Sequence, residues 1–147
     1  MKKYIVLTTM VIFMLGTQFL QAQTLPTVQN IESSLKKNGK YAMMVMNVQH
    51  FKAALITGNA LYNKSPRIKF QLIACGNLVK EIAENPELQK EVYKVSQIPG
   101  HQVVICGLSI RQLNVDTTKL PKEAVITENA LLYSFGLQEM GYKMLIL

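Results

Sequence analysis

The sequence predicts an α/β protein: a three-layer α/β/α sandwich around a five-stranded, mainly parallel sheet. Three observations carry that reading. Five short apolar runs alternate with stretches of helical periodicity, as successive strand-helix-strand crossovers require. The first run, Lys40-Tyr41-Ala42-Met43-Met44-Val45-Met46-Asn47, is nearly unbroken, which suits a strand covered on both faces rather than one wetted on one side. Glycine or proline punctuates the junctions, at Asn38-Gly39, Ser65-Pro66, Gly76 and Pro99-Gly100.

The first element is a leader. Lys2 and Lys3 form a basic start, Ile5 through Leu15 with Phe19 and Leu20 supply an apolar stretch, and Ala22 precedes a cut at Gln23. Residues 1–22 therefore read as a signal peptide, and the mature chain is expected to be exported, to a periplasm or outside the cell. Thr8, Thr9, Thr17 and Gln18 interrupt the apolar stretch, so a stable membrane span is not expected. About 125 residues then remain, enough for one core of their own.

Residues 23–38 read as an N-terminal arm, with Leu25, Val28, Ile31 and Leu35 in a weak helical pattern. The domain proper spans 39–147. After the first strand, Phe51, Ala54, Leu55, Gly58, Leu61 and Tyr62 repeat at helical spacing until Ser65-Pro66. Arg67 to Ala74 is the second strand. Cys75-Gly76-Asn77 turns the chain into a helix bearing Leu78, Val79, Ile82 and Ala83, and Asn85-Pro86-Glu87 restarts it with a cap, a proline and an acid in the first turn. Gln102 to Cys106 is the third strand and runs into a short helix, Leu108 to Leu113. Ala124 to Thr127 makes a brief fourth strand. Ala130, Leu131, Leu132, Phe135, Leu137 and Met140 form an apolar helical stripe stopped by Gly141, and Tyr142 to Leu147 is the last strand.

Charge and cysteine usage exclude several functions. Removing Lys2 and Lys3 leaves 14 Lys and Arg against 9 acidic residues, a net charge of +5. The basic groups Lys36-Lys37-Asn38-Gly39-Lys40 and Lys64-Ser65-Pro66-Arg67-Ile68-Lys69 lack interleaved aromatics, so they read as solvated strand entries and not as a nucleic-acid surface. Met43, Met44 and Met46 lie along a strand and cannot converge on one face, so they are core filler. Cys75 and Cys106 are too few for a disulfide scaffold, no Cys-x-x-Cys occurs, and His50 and His101 stand apart; no metal is expected. Nucleotide-binding glycine loops and a Gly-x-Ser-x-Gly frame around Ser109 are also missing, and no cofactor is expected.

The residues that carry chemistry fall at strand ends. In a parallel sheet the turns leaving the carboxyl ends of strands form the site edge, and His50, Cys75, Gly76, Cys106 and Gly107 all belong there. Cys106 is expected at the mouth of the sheet beside a helix N-terminus, where the backbone dipole favours a thiolate. Gly107 permits close backbone approach. Arg111, one turn on, either adds positive charge or faces solvent; His50 serves either as a base or as a capping side chain. The competing reading of Cys106 is a small buried hydrophobe. Cys75 either fills its strand end or, if the second and third strands are neighbours about 5 Å apart, lies within disulfide range of Cys106. His101, directly before the third strand, is expected at the opposite edge as a surface residue.

The segments Ile73-Ala74-Cys75-Gly76, Val103 through Val115 around Cys106-Gly107-Leu108-Ser109, and Leu137-Gln138-Glu139-Met140-Gly141-Tyr142 together resemble the DsrE/DsrF-like family of sulfur-relay proteins. The likeness runs from Lys40 to Leu147. It implies a compact α/β domain assembled into trimers or hexamers, in which the cysteine matching Cys106 accepts sulfane sulfur as a persulfide from a thiol or persulfide donor protein and passes it to an acceptor. Two features depart from the pattern. Relay proteins of this kind act mainly inside the cell, whereas this leader predicts export, and Cys75 stands where relatives often carry another residue before the glycine. The other function class is a non-catalytic oligomeric binding or scaffolding domain that keeps the fold alone.

Overall fold

The computed structural model describes residues 26–147; the leader assigned to residues 1–22 lies outside them. Two compact units divide the chain at Ser34. In the first, helix α1 (Val28–Ser33) is capped by Thr27, whose hydroxyl accepts from the Asn30 amide at 3.4 Å, and buries none of its residues.

The second unit, Leu35–Leu147, holds β1 (Lys40–Val45), α2 (Val48–Lys64), β2 (Lys69–Ala74), α3 (Asn77–Glu84), α4 (Pro86–Ser96), β3 (His101–Cys106), α5 (Gly107–Gln112), a single 3-10 turn (Thr117–Lys119), β4 (Val125–Thr127), α6 (Ala130–Glu139) and β5 (Lys143–Ile146). Four strands are slightly shorter than the apolar runs while β3 begins one residue earlier, at His101, and the sheet is parallel throughout, in the order β4-β3-β2-β1-β5.

That order dictates the layers. The connections β1 to β2, β2 to β3 and β3 to β4 all step in one direction, so right-handed crossovers put α2, α3 and α4 on one face. The last connection reverses across the whole sheet, and α6 therefore covers the opposite face. Strand alternation feeds both layers. Met43, Val45, Leu72, Ala74, Val103 and Ile105 pack toward Phe51, Leu78, Ile82 and Val92; Ala42, Met44, Ile73, Cys75, Val104 and Cys106 pack toward Ala130 and Leu137. Adjacent Met43 and Met44 thus serve different layers.

Helix starts follow local chemistry. Asn47 caps α2 by accepting the His50 amide at 2.8 Å, and Asn85 caps α4 by accepting the Glu87 amide at 2.9 Å with Pro86 next in line.

His101 corrects the sequence reading. It does stand at the amino edge of the sheet, but it is buried, 7% exposed, between the rings of Tyr62 and Phe70 at centroid distances of 5.9 and 5.5 Å. Its Nε2 has no hydrogen-bond partner, and burial lowers its pKa below the ordinary 6.5. The folded state therefore binds its proton less readily than the unfolded chain, so this group's contribution to stability is full above 6.5 and is lost as pH falls toward the folded value. Urea unfolding should show stability declining as pH drops below 6.5, with a shallower decline in His101→Leu. An identical slope in the two proteins would refute this assignment.

A buried thiol pair at the carboxyl edge of the sheet

β2 and β3 pair with Ala74 opposite Ile105, so the next residues, Cys75 and Cys106, leave adjacent strands side by side. Both point to the α6 face and both are free thiols. Gly76 then turns the chain away at φ 58°, a left-handed value open to glycine without strain, and its amide is directed at Ser109 in the helix that follows the second cysteine.

Cys106 is the N-cap residue of α5. It makes no side-chain cap bond; the groups that bear on the ionisation of its sulfur come from three directions. The Ser109 hydroxyl and amide approach from the first turn of α5, the Ala130 amide from the start of α6, and the Cys75 thiol from the next strand. Ser109 is itself buried and oriented, because its Oγ accepts the Gly76 amide at 2.9 Å. That bond leaves the hydroxyl proton to point at sulfur. In the same way, Asn129 Oδ1 takes the Leu131 amide at 2.9 Å, leaving the Ala130 amide free.

The electrostatic outcome is asymmetric. Burial pushes the Cys106 thiol up, yet the bonds from Ser109, Ala130 and Cys75 outweigh it and hold the thiol below its ordinary value. Burial, then the neighbouring Cys106 charge and the bond donated to it, push Cys75 up to about 12. Cys106 is thereby the more readily ionised of the two, and Cys75 is its proton-bearing neighbour. Serine's hydrogen bond to an anionic sulfur is of the charge-assisted kind, about 1.5–3 kcal/mol, so Ser109→Ala should raise the pH midpoint of Cys106 alkylation by about one unit. A midpoint that stays put would show that the amides alone hold the anion.

Gly107 and Arg111 act on geometry. A Cβ at Gly107 would lie 2.5 Å from the Thr127 carbonyl oxygen and 3.2 Å from that of Glu128, so only glycine lets the β4–α6 connection lie against the first turn of α5. Arg111 is exposed, as the solvent-facing reading has it, and its Nη2 also donates to the Glu128 carbonyl at 3.3 Å, tying down the same connection.

Two other expectations need adjusting. His50 sits at the same edge but follows β1, two strands from β3, and its ring Nδ1 lies 3.1 Å from the Asn47 amide nitrogen; it is a capping side chain and makes no contribution to either thiol. Cys106 was expected at an open mouth and is instead 4% exposed, because α6 crosses the sheet directly over it. The Ala130 amide is the contributor that the residue pattern missed. Asn129 before an apolar stripe marks a helix start, but nothing local says that this start lies above the third strand.

A surface groove of about 580 Å³ between α2 and α4, lined by Lys52, Ile56, Glu87 and Glu91 among others, holds no nucleophile and is remote from the thiols in the fold. Among the described residues no group of three or more His, Cys, Asp or Glu side chains gathers to hold a metal, and no helix is long and apolar enough to cross a membrane.

Fold and site together define a parallel α/β domain with a dithiol at the carboxyl edge of its sheet. Among solved structures it is similar to MTH1491 from Methanobacterium thermoautotrophicum, a protein of unknown function, with a TM-score of 0.66 at 11% identity over 74% of this chain and 99% of that one. It is also similar to BT1422 from Bacteroides thetaiotaomicron, a conserved protein of unknown function, with a TM-score of 0.56 at 18% identity over 78% of this chain and 99% of that one. These likenesses show the shared fold. No family model matches the chain, and no curated protein matches it by sequence.

Proposed function

We propose that the domain is a cofactor-free sulfur carrier or thiol-transfer protein of the DsrE-like kind, with Cys106 accepting sulfane sulfur as a persulfide. The observation that carries this reading is the placement of Cys106 at the end of β3 beside Cys75 and the buried, Gly76-tethered Ser109, in surroundings that lower its thiol pKa. Transfer needs a thiolate that attacks the outer sulfur of a donor R-S-SH, forming Cys106-S-SH and expelling RS⁻. The same donors that hold the thiolate suit the persulfide anion. With only 4% of the residue exposed, the site favours a small donor, such as inorganic polysulfide or a low-mass persulfide. The export predicted from the leader places such donors outside the cytoplasm.

The test is to treat the folded protein with polysulfide and weigh it. One added sulfur per chain, removable by cyanide and absent after prior alkylation with iodoacetamide, is the expected result. No cyanolysable sulfur under any donor excess overturns the proposal.

A specific observation favours the second reading, a non-catalytic oligomeric scaffold. The outer side of α6 exposes Leu131, Leu132, Phe135 and Met140, each more than half accessible, an apolar surface suited to contact with further copies. That reading requires an ordinary thiol at Cys106, which the alkylation profile distinguishes.

A further inference from the structure

We propose that Cys75 is the resolving thiol of Cys106: a group carried on the Cys106 sulfur is displaced by Cys75, closing an intramolecular disulfide between the ends of β2 and β3. The argument is geometric and goes beyond sulfur carriage. Neighbouring strands lie about 4.8 Å apart, inside the Cα separation of about 4.4–6.8 Å that disulfides need. The register Ala74 to Ile105 brings Cys75 and Cys106 to matching positions, both side chains share the α6 face, and each thiol bears on the ionisation of the other. No backbone rearrangement is required to bring them together. A merely space-filling residue at the end of β2 has no need of a thiol, since Ala74 and Ala42 fill comparable places in the same sheet.

The chemistry closes without a cofactor. With a low-mass disulfide R-S-S-R as oxidant, the Cys106 thiolate attacks one sulfur, forming Cys106-S-S-R and expelling RS⁻. The Cys75 proton passes to that departing RS⁻. The Cys75 thiolate then attacks the Cys106 sulfur, breaking its bond to S-R; a second RS⁻ leaves and the protein disulfide forms. Two protein sulfurs are oxidised, and R-S-S-R is reduced to RSH and RS⁻. Loss of the Cys106 anion as charged neighbour makes the Cys75 proton easier to release once the mixed disulfide exists, so the first step prepares the second.

The experiment equilibrates the native protein with oxidised and reduced glutathione, quenches with acid and reads intact mass and peptide maps. Wild type should lose two hydrogen atoms and yield a linked peptide pair containing Cys75 and Cys106, with little glutathione adduct. Cys75→Ser and Cys75→Ala should instead accumulate the mixed disulfide on Cys106, at least tenfold above wild type. Because glutathione disulfide carries no sulfane sulfur, this result is independent of polysulfide loading. Wild type that keeps two alkylatable thiols at every glutathione ratio, or that holds as much mixed disulfide as the Cys75 variants, overturns the proposal. If both variants fail to fold, the wild-type peptide map decides alone.

Discussion

Cys106→Ser is expected to carry no cyanolysable sulfur after polysulfide treatment, while remaining folded. Serine is close to cysteine in size and a favoured N-cap residue, so the start of α5 is kept and the cost is about 1 kcal/mol or less. It cannot ionise near neutral pH, however, and an oxygen cannot hold a sulfane atom in an exchangeable bond. Nor can Cys75 take over. Burial is the largest cause of its raised pKa and persists in the variant, so its thiolate remains a very minor species at pH 7. Loading is read by cold cyanolysis and by mass, and folding by circular dichroism and urea unfolding. Undiminished loading in Cys106→Ser, with loss in Cys75→Ser, would move the acceptor role to the other thiol.

The second large effect is expected from Gly107→Ala. The added methyl meets the Thr127 carbonyl oxygen at 2.5 Å and the Glu128 carbonyl oxygen at 3.2 Å. Both are backbone atoms, and neither can swing aside as a side chain would. The β4–α6 connection has to retreat, against the pairing of Cys106 with Thr127 and against the Arg111 bond to Glu128. Overpacking of this kind costs about 1–3 kcal/mol, which for a domain of this size lowers Tm by several degrees. The retreating segment also carries the Ala130 amide away from sulfur. Thermal unfolding and the pH midpoint of Cys106 alkylation should therefore move together, Tm down and midpoint up. A lower Tm with an unmoved midpoint would show that Ala130 contributes nothing to the anion.

The residues that announce their structure in the sequence are those governed by neighbours in the chain. Asn85-Pro86-Glu87 needs only its own amides to restart a helix, and the capped break between α3 and α4 is where those residues place it. The alternation of strand and helix likewise fixes a parallel sheet and sends Cys75 and Cys106 to its carboxyl edge. What depends on distant partners is less legible. His101 looks like a strand-entry surface residue, yet it shares the face of Val103 and Ile105 and ends in the aromatic gap between Tyr62 and Phe70. The period-two pattern contained that signal. Burial of Cys106 and the gift of the Ala130 amide depend on the reversal of strand order at β5, which no local run of residues encodes. Ser109 stands three residues after Cys106, but its tether to Gly76 is a contact between segments 33 positions apart.

The position of β5 bears on how the chain is made. β1 lies inside the sheet, yet one of its flanks is covered only when Lys143–Ile146 arrives, pairing Tyr41 with Lys143 and Met44 with Ile146. The covering layer over the thiols, α6, also comes late in the element order, directly before β5. While a ribosome is still extending the chain, the nascent sheet has a bare inner edge and an uncovered apolar surface. Completion of the sheet is thereby postponed until Lys143–Ile146 has been made, so the pairing that closes the β1 flank is a long-range contact formed late.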